Sequence, residues 1–204
     1  MTLLETIAVI DGKIRNAAYH LQRMVRSAGL SHIDLDEVLK QSSPEINPSE
    51  YYKLRIIYNG QGIISSELAP YHFRPISSII LRSATPELDY SRKYADRSAL
   101  DTYSDGLREG AIPLIIKNRF VTDTTYTNVC FRGKDGRWVT PSTPLLEGTM
   151  RQYLLDHEEI DEMDIRVSDL AHFDAVALIN AMIPLGKAIL PISSVNFGIF
   201  EADI

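Results

Sequence analysis

Residues 5–28 read ETIAVIDGKIRNAAYHLQRMVRSA, and the change of period inside this stretch decides the fold class. Thr6 to Ile10 is apolar and partly β-branched, which suits a strand. Asp11-Gly12 follows, a pair that accepts the backbone angles of a tight hairpin turn. From residue 17 to residue 28 the spacing becomes helical, with Leu21, Met24, Val25 and Ala28 on one apolar stripe.

Outward from this stretch, strands and helices keep mixing. Ser31 to Lys40 predicts a second helix, stopped by Ser42-Ser43-Pro44. Tyr51 to Tyr58 alternates as a strand and Asn59-Gly60 turns it, while Ile63-Ile64 and Ser77 to Leu81 supply further strands. Ala84-Thr85-Pro86-Glu87-Leu88-Asp89 is polar, contains a proline, and predicts a linker between two lobes, 1–86 and 90–204. Beyond it the spacing predicts a helix from Tyr94 to Glu109, closed by Gly110. Short strands follow at Pro113 to Lys117, Thr127 to Phe131 and Arg137 to Val139, the last pair turned by Asp135-Gly136. Gly148 precedes a helix to about Asp156, and Ala175 to Ile179 reads as a buried strand. Without a regular βαβ alternation, α+β is preferred to a doubly wound sheet.

Composition narrows the function. The 204 residues are 45% hydrophobic and 24% charged with net charge −6, a globular balance that argues against a basic nucleic-acid face. No apolar stretch approaches a membrane span, and the first residues lack the layout of a signal peptide, so a cytoplasmic protein is expected. The single cysteine, Cys130, sits in an apolar run and reads as a buried inert thiol. The five histidines do not pair at metal-ligand spacing. Nucleophile-elbow, Walker and dinucleotide-binding glycine motifs are absent.

Four patterns remain. Glu5-Thr6-Ile7 and Asp11-Gly12 lead to His20-Leu21-Gln22-Arg23-Met24, where His20 and Arg23 share a helix face. Tyr90-Ser91-Arg92-Lys93-Tyr94 follows the linker. Val121-Thr122-Asp123-Thr124-Thr125-Tyr126-Thr127-Asn128-Val129 combines a carboxylate, hydroxyls and an amide. Leu145-Leu146-Glu147-Gly148-Thr149-Met150-Arg151 opens a helix whose first N–H groups can receive an anion. Taken singly, Arg23 and Lys93 read as surface charges, the third pattern as a polar turn and the fourth as a plain helix start.

In order and spacing the four together resemble the class IV aminotransferase group, which includes branched-chain and D-amino-acid aminotransferases and 4-amino-4-deoxychorismate lyases. The family's patterns are E-T-x-x-V-x-D-G, H-L-x-R-L, a lysine after the interdomain loop, E-x-x-x-S-N and L-x-G-x-x-R. The likeness runs from about Leu4 to Pro191. It implies a two-lobed α+β fold with pyridoxal 5'-phosphate in the interdomain cleft, a small-molecule amino substrate and a homodimer. It puts the Schiff-base lysine at Lys93, which would also shuttle the substrate proton. It gives Arg23 and the N–H groups of Thr149 and Met150 to the phosphate, Asp123 to the ring nitrogen, and Thr127 and Asn128 to the ring's edge. Asn180-Ala181 falls where the family carries a phosphate-binding hydroxyl.

The chain departs from the family at three places. Asp123 stands for glutamate and reaches about 1.5 Å less far. Ala181 has no hydroxyl, and the strands that usually precede the E-T motif are missing. Gly148-Thr149-Met150-Arg151-Gln152-Tyr153 looks more like the lyase form than the transaminase form. The resemblance therefore implies release of pyruvate and 4-aminobenzoate from 4-amino-4-deoxychorismate, a step of folate biosynthesis. The alternatives are an amino-acid aminotransferase and a cofactor-binding member without turnover.

Overall fold

A computed structural model describes residues 1–42 and 46–196. By its internal contacts the chain forms two compact units. The first comprises Met1–Phe73 and returns for Arg92–Asp96. Its strand β1 (Leu3–Ile10) turns through Asp11 and Gly12, at φ 53° and 69°, into β2 (Lys13–Ile14), so that Val9 faces Ile14. Helix α1 (Ala17–Ala28) has the bounds expected from its apolar spacing and ends on Gly29 at φ 73°, whose N–H donates to the Val25 carbonyl. Helix α2 (Leu35–Ser42) starts later than its sequence suggests. The Asp34 carboxylate accepts the N–H groups of Asp36 and Glu37 and so caps the helix there. Ser43 and Pro44 of the expected stop lie outside the described residues.

Strands β3 (Tyr51–Asn59) and β4 (Gly62–Pro70) complete an antiparallel sheet of order β2-β1-β3-β4. Leu3, Ile7 and Val9 of β1 and Leu54, Ile56 and Tyr58 of β3 pack with Met24 of α1 and Val38 and Leu39 of α2. Each such aliphatic side chain removed from water contributes about 1.5–3 kcal/mol before entropy is counted. The returning segment lies beside β1. Leu4 donates its N–H to the Lys93 carbonyl and Ala95 donates to the Thr2 carbonyl, each at 2.9–3.0 Å, so Tyr94 faces Leu3.

The second unit comprises Arg74–Ser91 and the chain from Arg97 onward. Strand β5 (Ser78–Ser83), placed in the first lobe by the sequence reading, pairs here with β6 (Ala111–Lys117) along six residues. The helix expected from Tyr94 to Glu109 does not form. Only α3 (Ser98–Asp101) is helical, followed by a 3-10 turn at 102–104. Tyr94 is spent on the β1 edge, and Leu100 is the sole buried residue of that stretch, so no apolar stripe holds a longer helix. Gly106 at φ 72° breaks the chain direction further.

Strands β7 (Phe120–Thr124), β8 (Asn128–Gly133) and β9 (Trp138–Pro141) precede α4 (Thr149–Asp156). Strands β10 (Asp161–Met163), β11 (Phe173–Ile179), β12 (Ile189–Pro191) and β13 (Val195–Asn196) follow. They make a five-stranded sheet, β10-β9-β8-β11-β12, and a four-stranded one, β13-β5-β6-β7. Met150 and Leu154 of α4 pack on Cys130, Ala177 and Ile179 of the five-stranded sheet. Parallel and antiparallel pairings mix in both sheets, in keeping with the α+β class. No helix among the described residues is long and apolar enough to cross a membrane.

Candidate active site

Two polar clusters stand out, one in each unit. In the first unit Glu5 is the acidic residue on the otherwise apolar core face of β1, and it is fully buried. Its partners come from α1. Arg23 donates from Nε to Glu5 Oε1 at 2.8 Å and from Nη2 to Oε2 at 2.6 Å, a bidentate fork. His20 Nδ1 lies 2.6 Å from Oε2. Burial alone would push the Glu5 carboxyl up; the charge and hydrogen bonds of Arg23, with those of His20, outweigh it and hold it down at about 2. Burial lowers His20, against the pull of Glu5, and the charges of Arg23 and Lys93 lower it further. Lys93 is thus electrostatically close to this cluster, while its carbonyl is fixed by Leu4.

In the second unit Asp123 lies buried on β7. The segment with the carboxylate and hydroxyls is therefore a strand with a turn after it, in place of a simple polar turn. Asn128 Nδ2 donates to Asp123 Oδ1 at 2.8 Å, and the Leu146 N–H donates to Oδ2 at 2.9 Å. Asn128 Nδ2 also donates to the Leu146 carbonyl at 2.9 Å, which ties the start of β8 to the loop before α4. Burial pushes the Asp123 carboxyl up to about 6, against the opposing hydrogen bonds of Leu146 and Asn128. Among the described residues Asp123 has no ion pair.

Gly148 fits where a side chain cannot. A Cβ there would stand 1.9 Å from Asn128 Oδ1. Behind it the helical ladder begins with the Gln152 N–H donating to the Gly148 carbonyl, so Thr149 and Met150 head the helix. Thr127 closes the turn after β7: its N–H donates to Thr124 Oγ1 at 2.9 Å, and the two hydroxyls are 2.8 Å apart. Asn180 Nδ2 donates to the Tyr126 carbonyl at 3.0 Å while its Oδ1 accepts from Met182 at 2.8 Å, and Ala181 sits in the turn between.

Of the residues singled out from sequence, Asp123 and Asn128 touch, with Gly148 against them. Thr127 and Asn180 hold the neighbouring turn, and Thr149 and Met150 begin α4. Arg23 and Lys93 belong to the other unit. Sequence reasoning gave no role to Glu5 or His20, although a glutamate on an apolar strand face was the available signal. Among the described residues no group of three or more histidine, cysteine or acidic side chains is placed to hold a metal.

Comparison with known proteins places the chain. It matches the family described as Amino-transferase class IV over residues 2–195. An uncharacterized protein of Haemophilus influenzae is 34% identical over 191 residues, 88% of this chain and 97% of the relative. The solved structure of a candidate 4-amino-4-deoxychorismate lyase from Haemophilus somnus has a TM-score of 0.78 at 30% identity, covering 90% of this chain and 97% of that one. That of a candidate amino-acid aminotransferase from Mesorhizobium loti, at 22% identity and TM-score 0.73, covers 97% and 99% and shares the fold. The chain therefore belongs to the class IV aminotransferase family of pyridoxal-phosphate-dependent enzymes.

Proposed function

We propose that this enzyme eliminates pyruvate from 4-amino-4-deoxychorismate, leaving 4-aminobenzoate, with pyridoxal phosphate carried on Lys93. The observation that carries the cofactor reading is Asp123, a buried carboxylate with both oxygens hydrogen-bonded and no ion pair among the described residues. A cationic N–H against such a group relieves the cost of burying its charge. The ring nitrogen of the cofactor is a group of that kind, so the residues present fit it. When bound, the cofactor supplies an electron sink for the bond broken at the substrate's α carbon.

The remaining roles belong to the chain itself. The Lys93 amine holds the cofactor and moves the α proton. Arg23 and the N–H groups of Thr149 and Met150 receive the phosphate. Asn128 orients Asp123, Thr127 shapes the turn beside it, and Asn180 braces that turn through the Tyr126 carbonyl. Ala181 adds no hydroxyl, so this phosphate is held with one donor fewer than in the family pattern. The lyase reading rests on the run Gly148-Thr149-Met150-Arg151-Gln152-Tyr153 and on the likeness to the Haemophilus somnus protein. Amino transfer to a keto acid is the alternative reaction. A homodimer acting in the cytoplasm completes the reading.

Two experiments test it. Borohydride reduction of the cofactor-loaded protein followed by peptide mapping should find the pyridoxyl adduct on Lys93. An adduct on Lys53 or Lys117 overturns the assignment, and no adduct overturns the cofactor reading. Assays run side by side then separate the reactions: pyruvate with 4-aminobenzoate supports the lyase, and a keto acid formed from an amino acid supports the transaminase.

A further inference from the structure

Glu5 has a pair of partners that makes it more than a buried counter-ion. Its carboxylate is ionised, so it can only accept hydrogen bonds. His20 Nδ1, 2.6 Å away, must therefore carry a proton and donate it. His20 Nε2 is buried with no hydrogen-bond partner, and the whole side chain has no exposed surface. Beside the ring stand Glu5 from β1 and Arg23 one helical turn along α1, and the ring also feels the Lys93 charge from the returning segment. Tyr58 from β3 lies near Glu5 and Arg23. A second proton on His20 would add a cation beside two others with no acceptor to take it, so the ring is neutral with a bare Nε2.

We propose that Glu5 and neutral His20 are positioning residues for Arg23, fixing the plane of its guanidinium so that it meets an anion in one orientation. Two parallel bonds from Arg23 lock the fork onto Glu5, and the His20 bond stops the carboxylate from rotating about its own axis. Bracing of this kind determines how well a charged group can be aimed. The inference rests on the reading that Arg23 receives the cofactor's phosphate.

Binding of pyridoxal phosphate is compared with binding of pyridoxal, which has the same aldehyde and ring without the phosphate. His20→Leu removes the donor to Glu5 at similar bulk. It should weaken pyridoxal phosphate about tenfold, the scale of one hydrogen bond to a charged group, and leave pyridoxal unchanged. His20→Asn, whose amide nitrogen stands one bond from Cγ as Nδ1 does and can still donate to Glu5, should restore most of the loss. Equal weakening of both ligands, or of neither, overturns the inference while leaving the cofactor reading intact. A parent protein that binds neither ligand overturns both. Nitrogen-15 NMR of the unliganded parent gives a separate readout: a proton on Nδ1 and a bare Nε2 at pH 7 are expected, and a protonated Nε2 refutes the arrangement even where the leucine variant does not fold.

Discussion

Asp123 should make the unliganded protein lose stability as the pH rises, and replacing it with asparagine should abolish that loss. The folded carboxyl is raised from 3.8 to about 6 by burial. Below about pH 3 it is protonated in folded and unfolded chains alike and costs nothing. Above about pH 6 the folded protein holds a buried charge that the unfolded chain would hold in water. A difference of about two pKa units corresponds to roughly 3 kcal/mol, lost across that interval. Asp123→Asn does not titrate. Its amide can accept only one of the two N–H bonds made by Asn128 and Leu146, a fixed cost of about 1 kcal/mol that does not vary with pH. The diagnostic quantity is therefore the change in the stability difference between variant and parent. From about pH 3 to about pH 8 it should move by about 3 kcal/mol in favour of the variant. Urea denaturation of the cofactor-free proteins, followed by the fluorescence of the single tryptophan, measures it at each pH. Parallel curves, agreeing within about 0.5 kcal/mol, would refute the argument, because they would mean that Asp123 does not carry the cost assigned to it. Saturating cofactor should flatten the parent's curve, and should raise the variant's without changing its shape.

The opposite sign is expected at Glu5, whose carboxyl is lowered from 4.5 to about 2, so its contribution is present above about pH 4.5 and lost on acidification toward 2. Glu5→Gln should cost about 3 kcal/mol at pH 7 and progressively less toward pH 2, read from the same denaturation curves. Gly148→Ala would put a Cβ into Asn128 Oδ1, displacing the amide from Asp123; a loss of about 1–3 kcal/mol and weaker cofactor binding are expected, and unaltered binding would show that the Asn128–Asp123 bond is dispensable. Cys130 is fully buried and its thiol is pushed up to about 12, so it should resist a thiol reagent in the native protein and react once urea unfolds it.

What the sequence made legible was local. The opening strand, its Asp11-Gly12 turn and α1 follow from a positive-φ dipeptide and a change of apolar period, both visible within one window. The region after Lys93 forms no long helix because Tyr94 is drawn to the edge of a strand some 90 residues earlier in the chain, a pairing that no local pattern records. The candidate site divides in the same way. The order of the four motifs could be read directly, and so could the shared face of His20 and Arg23. That this face meets Glu5 depends on how α1 packs on β1, a contact spanning 18 residues that no periodicity encodes. The support of Asp123 by the Leu146 N–H was illegible for a further reason: backbone donors are common to every residue, and only the path of the loop selects one.

The returning segment at 92–96 also bears on how this protein can be made or dissected. No single cut of the gene yields either unit whole. A fragment ending at residue 73 would lack the neighbour that takes the Leu4 N–H and the residue that covers Leu3, leaving β1 with an open edge suited to mispairing between chains. On the ribosome, the first unit must wait until residue 96 has emerged before its last strand partner is in place. By then β5 is exposed as well, while β6 has yet to emerge. The nascent chain therefore passes through a stage in which strands of both units await partners, and that stage sets its exposure to aggregation and to chaperones.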